Sequence, residues 1–161
     1  MKEVDIKFRE MTDDEFERFS RWDIIDYSKD LVKSGNSSEE NALKDAEESF
    51  YELLPEGKNT KDNYICVIQN NSNEDAGFIW YQKFNGNMAF ICDFLVIEKY
   101  RRRGYGRAAL LLVEKDAKKK GLNQILLNVF RYNKPAFALY KSVGYGIRDE
   151  ENQNISMIKD I

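Results

Sequence analysis

Apolar positions recur along this chain with two periods, and the period changes at polar or glycine punctuation. Val4 to Arg9 alternates apolar and polar side chains, which predicts a half-buried strand. Thr12-x-x-Glu15 reads as a capping box that opens a helix to about Asp30, with Phe16, Phe19 and Ile24 turned inward. Ser37-x-x-Glu40 predicts a second helix start, after which Leu43, Ala46, Phe50, Leu53 and Leu54 fall at helical spacing. Pro55 to Asn63 is a loop, Tyr64 to Gln69 a strand and Asn70 to Asp75 a polar turn. Ala76 to Phe84 and Met88 to Ile97 flank Asn85-Gly86, a strong hairpin signal. From Phe90 the second of these runs is nearly all apolar and reads as a buried strand. Ala108 to Lys120 returns to helical spacing and Gly121 stops it. Gln124 to Phe130 is another strand, and Asn133 with Pro135 starts another helix. Tyr145 to Arg148 and Asn154 to Lys159 form a terminal hairpin. The order predicts an α+β fold in a single domain spanning 1–161, without repeats or linkers.

Composition narrows the class. With 161 residues, 42% of them hydrophobic and 13% aromatic, the chain has enough apolar surface for a sizeable core. No apolar run approaches the length of a membrane span, and Met1-Lys2-Glu3-Val4-Asp5 has no signal-peptide character, so a cytoplasmic protein is expected. Cys66 and Cys92 lie in separate predicted strands without a C-x-x-C partner and read as reduced core thiols. Histidine is absent, which excludes Ser-His-Asp and Cys-His nucleophilic systems and the usual histidine-bearing zinc sites; no metal is expected. Proton transfer must use carboxylate, phenol, amine, backbone or water.

The chemistry concentrates in Arg101-Arg102-Arg103-Gly104-Tyr105-Gly106-Arg107-Ala108-Ala109, between the buried strand and the following helix. A glycine turn into a helix start presents unpaired N–H groups to an anion, and arginines add charge and forked donors. The ligand this suits is a pyrophosphate. Gly104-x-Gly106-x-x-Ala109 also fits a dinucleotide fingerprint, but the next strand, Gln124 to Phe130, lacks the acidic residue that would hold a ribose.

A second motif follows that strand: Asn133, Ala136, Leu139, Tyr140, Gly144 and Tyr145 match N-x-x-A-x-x-L-Y-x-x-x-G-F/Y. Together with Arg101, Gly104 and Gly106 in R/Q-x-x-G-x-G/A, this resembles the GNAT family of acyl-CoA-dependent N-acetyltransferases, over about Ile91 to Tyr145. The resemblance implies a three-layer α+β fold: a mixed, mostly antiparallel sheet flanked by helices, whose central strands splay beside the glycine turn. It implies acetyl-CoA as co-substrate, with its pyrophosphate at Arg101, Arg102, Arg103, Gly104, Tyr105, Gly106 and Arg107. It implies pairing of the pantetheine arm with the backbone of Phe94, Leu95 and Val96 and with Asn133, and Tyr140 as the acid that protonates the departing thiolate. Asn133 is also a good helix N-cap in its own right.

The general base is not given by the resemblance. Some members carry a glutamate five residues before the second motif's asparagine; here that position is Asn128. Asp93, a carboxylate in an apolar strand, is the substitute, because apolar surroundings raise a carboxyl pKa toward neutrality. Glu98, in the turn after the strand, and a water chain remain alternatives.

Charge points to the acceptor. Residues 10–62 carry 16 acidic and 7 basic side chains, net −9, whereas residues 99–148 carry 13 basic and 2 acidic, net +11. The basic half suits polyanionic coenzyme A; the acidic half suits a cationic amine, either a small molecule or a protein amino group. An overall charge of −3 without an aromatic-basic motif argues against nucleic acid. A catalytically silent acyl-CoA-binding module is the alternative function, and a homodimer stays open.

Overall fold

The computed structural model describes residues 3–161. The chain forms two compact units: residues up to Glu10 together with Tyr64–Ile161, and Met11–Asn63.

The unit Met11–Asn63 holds α1 (Asp13–Lys33) and α2 (Ala42–Leu53). The first capping box forms as the sequence predicts. The Glu15 N–H donates to Thr12 Oγ1 at 3.2 Å, and the Thr12 N–H donates to Glu15 Oε1 at 2.9 Å. Asp13, Asp14 and Glu15 fill the first turn, where the helix dipole favours negative charge. Phe16, Phe19 and Phe50 make a triangle with ring centroids 6.2, 6.3 and 6.4 Å apart. The second capping box does not form. Ser37 Oγ instead donates to the Asp45 carboxylate at 2.7 Å, a turn on Ser38 O intervenes, and α2 starts only at Ala42. Ala42, Ala46 and Phe50 recur every four residues and define the buried side of α2, while Leu43 and Leu53 fall outside that line and are exposed.

The other unit is a seven-stranded sheet ordered β1-β2-β3-β4-β5-β7-β6. Its strands are β1 (Ile6–Glu10), β2 (Asn63–Asn70), β3 (Asp75–Phe84), β4 (Met88–Val96), β5 (Gln124–Phe130), β6 (Gly146–Glu151) and β7 (Asn154–Asp160). β4 and β5 run parallel, joined through α3 (Tyr105–Lys119); β1–β2, β3–β4, β5–β7 and β6–β7 are antiparallel. With α4 (Lys134–Val143) this is the mixed, mostly antiparallel α+β fold expected. Ala109, Leu110, Val113 and Ala117 of α3 and Tyr140 and Val143 of α4 pack with Ile91, Leu127, Val129 and Met157 of the sheet in one buried cluster.

Two departures from a regular ladder position the site. Trp80 pairs with Asp93 but Tyr81 pairs with Ile91, so Cys92 is an extra residue, a β-bulge in β4. At the same level the β4–β5 ladder ends at Ile91↔Leu127, although β4 continues to Val96 and β5 to Phe130. The two strands part there. Beyond the bulge β4 stays close to β3: Gly77 is opposite Val96, and a Cβ on Gly77 would lie 2.0 Å from the Leu95 carbonyl oxygen.

Candidate active site

The turn after β4 carries the arginine-glycine motif. A short 3-10 turn, Glu98–Tyr100, leads to Arg101, whose Nε donates to Val96 O at 2.8 Å. Arg102 (φ +61) and Gly104 (φ +88) take left-handed conformations, and at Gly104 only glycine does so without steric cost. Gly104 is therefore the N-cap, and α3 begins at Tyr105, three residues before the predicted Ala108. The first helical bond is Ala108 N–H to Gly104 O at 3.0 Å. The N–H groups of Tyr105, Gly106 and Arg107 are therefore the helix's unpaired donors. Arg101, Arg102, Arg103 and Arg107 are all exposed beside them.

Gly106 and Tyr105 contribute differently from their neighbours. A Cβ on Gly106 would meet Leu139 Cδ2 of α4 at 2.9 Å and Phe94 Cζ of β4 at 3.7 Å, so glycine here permits close approach of α3 to both. The Tyr105 ring turns inward against Tyr100 and Ala76, which leaves only its backbone facing the turn.

β4 supplies the other side. Ile97 N–H donates to Ala76 O on β3. By the alternation of a strand, the N–H groups of Phe94 and Val96 then point away from β3, toward the gap left by β5. The Phe94 N–H is taken by Asp93 Oδ1 at 2.8 Å, and the Val96 carbonyl by Arg101. The Val96 N–H is left aimed into the gap. Phe94 lies by Gly106 and Val96 packs with Tyr105, so Asp93 and Leu95 occupy the opposite face of β4. Leu127 and Val129 join the helix-covered cluster, which puts Asn128 of β5 on that same opposite face. Asp93 therefore shares its sheet face with Asn128, on the neighbouring strand across the splay.

Asp93 is half-buried, and desolvation raises its carboxyl to about 6 even though the Phe94 N–H favours the charged form. Tyr140, on α4, is buried. Its phenol is raised above the ordinary tyrosine value, first by desolvation and then by the charge of Asp93. The Tyr140 phenol therefore feels the Asp93 charge, as a smaller influence than its own desolvation. Tyr140 packs edge-on to Tyr145, with centroids 6.1 Å apart. Glu98 lies exposed in the turn. Asn133 caps α4, its Oδ1 accepting from the Ala136 N–H at 3.4 Å.

These elements match a known family over most of the chain. A family model described as "Acetyltransferase (GNAT) family" matches residues 16–145. The chain belongs to the GNAT acetyltransferase family. It is 28% identical over 155 residues to the uncharacterized N-acetyltransferase YdgE of Bacillus subtilis, covering 94% of this chain and 96% of that one. The crystal structure of YycN from Bacillus subtilis, an uncharacterized N-acetyltransferase, superposes with a TM-score of 0.86 at 28% identity, covering 91% of this chain and 96% of that one. The PaiA N-acetyltransferase of Thermoplasma acidophilum, solved with coenzyme A, shares the fold with a TM-score of 0.71 at 23% identity, covering 98% of this chain and all of that one.

Within this GNAT chain Asp93, Phe94 and Val96 lie on β4 where it parts from β5, the 101–107 turn follows that strand, and Tyr140 on α4 packs in the cluster that covers the sheet. The bulge at Cys92 and the open Val96 N–H do not show in the sequence pattern. The only trace of the bulge there is a single charge, Asp93, inside an apolar run. Among the described residues no group of three or more Cys, Asp or Glu side chains could hold a metal ion, and no helix is long and apolar enough to cross a membrane.

Proposed function

We propose that this acetyltransferase moves the acetyl group of acetyl-CoA to a primary amine by direct attack in a ternary complex. The observation that carries this reading is the gap between β4 and β5, with unpaired helix N–H groups at one end and the Asp93–Tyr140 pair beside it. The pyrophosphate is held by the N–H groups of Tyr105, Gly106 and Arg107 and by the charges of Arg101, Arg102, Arg103 and Arg107. The pantetheine arm lies along Phe94, Leu95 and Val96 as an added strand, with Asn133 beside it. The Val96 N–H is the open donor available to that arm or to the thioester oxygen as charge develops on it.

Asp93 accepts the proton of the attacking amine, and Tyr140 protonates the departing thiolate. A base near 6 is ionised at neutral pH and still basic enough to take a proton from the attacking amine as its bond to carbon forms. The raised phenol keeps the Tyr140 proton in place until it is needed. The two transfers assist each other. Desolvation is the main reason the Tyr140 pKa is raised, but the smaller part due to the Asp93 charge is gone once Asp93 is protonated, so receipt of the first proton eases release of the second.

The acceptor is an amine that is cationic in solution, argued from the net −9 of residues 10–62; it gives one proton to solvent before attacking as the free amine, and Asp93 takes the proton shed as the bond to carbon forms. Calorimetric titration with acetyl-CoA and turnover with a panel of diamines, aminoglycosides and peptide amino termini test the reading together. Gly106→Asp, which drives a side chain against Leu139 and a negative charge beside the pyrophosphate N–H groups, should abolish donor binding. Retention of full acetyl-CoA affinity in a folded Gly106→Asp variant defeats the donor assignment. Binding without turnover of any amine favours the silent acyl-CoA-binding module, which Asn128 in place of a carboxylate also suits.

A further inference from the structure

The arginine-glycine turn has little to hold it in place from within. Its N-cap, Gly104, offers no side chain to cap α3, and two of its residues sit at positive φ. Its place must be set from outside. One tether is the bond from Arg101 Nε to Val96 O. The other comes from the far side of α3, where the Tyr105 side chain lies buried edge-on to Tyr100, with centroids 5.2 Å apart at 67°.

The Tyr105 hydroxyl accepts from Asn70 Nδ2 at 3.2 Å. Asn70 ends β2, and its carboxamide is fully committed. Its Oδ1 accepts from the N–H groups of Ser72 at 2.9 Å and Glu74 at 3.0 Å, and its Nδ2 also donates to Glu74 Oε1 at 3.0 Å. Both lone pairs and both N–H groups are used, so the amide has one orientation and no freedom to rotate away from Tyr105. The same knot reaches the arginines. Glu74 is held below the ordinary carboxyl range first by the Asn70 amide, then by Lys99, the Tyr100 hydroxyl and Arg103.

We propose that Asn70, through its hydrogen bond to Tyr105, is a positioning residue for the donor site: it fixes the first turn of α3, and so the unpaired N–H groups of Tyr105, Gly106 and Arg107, in the orientation that grips a pyrophosphate. Asn70 touches neither donor nor reacting atoms. Its effect therefore appears in donor affinity and not in the chemical step. The inference rests on the donor reading of the turn given above.

The experiment is a double-mutant cycle read by steady-state kinetics and calorimetry with acetyl-CoA. Tyr105→Phe keeps the buried ring and removes only the hydroxyl; Asn70→Ala removes the amide. A net hydrogen bond to an oriented group corresponds to about a three- to tenfold change. Each single variant should therefore raise the Kd and KM for acetyl-CoA about three- to tenfold, with kcat at saturating donor unchanged. The double variant should be no weaker than the weaker single, because both changes cut one bond. Unchanged donor KM in folded Tyr105→Phe, a loss confined to kcat, or multiplicative losses in the double variant each overturn the proposal. If Asn70→Ala fails to fold, Tyr105→Phe alone decides through its KM and kcat. Absence of acetyl-CoA binding by the unaltered protein overturns the donor reading instead, so the two failures are distinct.

Discussion

Replacing Asp93 by asparagine should make the protein more stable at alkaline pH while it loses activity. Desolvation lifts the Asp93 carboxyl from 3.8 to about 6. The folded protein thus binds a proton more tightly than the unfolded chain, and between these values stability falls as pH rises. Above about pH 6 the full penalty of the buried charge is present, about 3 kcal/mol for a shift of this size; below about pH 4 it is absent. Asparagine is isosteric and keeps an oxygen to accept from the Phe94 N–H, a bond of 2.8 Å in the native protein. Its NH2 group brings a desolvation cost of about 1–3 kcal/mol where it finds no partner, but that cost does not change with pH. The difference in unfolding free energy between variant and wild type should therefore move by about 3 kcal/mol in favour of the variant from pH 4 to pH 8. At about 2–4 °C per kcal/mol for a chain of this size, the Tm difference should move by about 6–12 °C. Denaturant unfolding at the two pH values, with acetyl transfer measured across the same range at saturating acetyl-CoA, gives both readouts. The rate should fall, and the ascending limb near pH 6 should vanish. A variant-minus-wild-type stability that is the same at pH 4 and pH 8 would refute the buried-charge argument. Intact rate and pH profile would pass the base role to Glu98 or a water chain.

Three further outcomes follow from the geometry. Tyr140→Phe keeps the ring packed edge-on to Tyr145 and removes the proton, so kcat should fall about 10²-fold with little change in donor Kd; full activity at pH 7 to 8 removes Tyr140 from the mechanism. Gly77→Ala places a Cβ 2.0 Å from the Leu95 carbonyl oxygen, so β3 and β4 must separate beside the donor strand; a loss of about 3 kcal/mol in urea unfolding is expected, and a neutral result contradicts the close pairing. With acetyl-CoA saturating, kcat/KM for the amine should fall as ionic strength rises from about 0.02 to about 0.3 M, and a flat dependence argues against attraction by residues 10–62.

Features written in short-range code were legible in the sequence. The box at Thr12 and Glu15, the cap at Asn133, the Asn85-Gly86 turn and the glycine turn itself need only a few neighbouring residues to form. The second box failed because Ser37 found a partner eight residues away, Asp45, that a four-residue signature cannot register. The start of α3 was misplaced because the helical spacing of apolar residues begins at Ala108, while the chain enters the helix through a left-handed Gly104. That shift also hid the inward turn of Tyr105. The strand splay was expected from the family resemblance alone and not from the residues: it is a property of β4 and β5 jointly, and each strand read alone is an ordinary apolar run.

The splay itself explains why the candidate chemistry gathers at Asp93. Where β4 leaves β5, the backbone groups of Phe94 and Val96 on that side lose their ladder partners, and buried unpaired groups of this kind are costly. The chain satisfies two of them from its own side chains: Asp93 takes the Phe94 N–H, and Arg101 takes the Val96 carbonyl. The Val96 N–H remains, on a strand edge that would otherwise need a neighbour. On the proposed reading the amide-bearing pantetheine arm is that neighbour, and its binding completes the sheet. The residue that quiets the freed N–H at Phe94 must be an acceptor held within an apolar strand, and a carboxylate held there acquires a raised pKa from the same burial. On that reading, the structural demand made by the bulge at Cys92 and the chemical demand for a base beside the thioester are met by one side chain. Tyr140, whose proton is held mainly by desolvation, holds it less tightly once that side chain is uncharged.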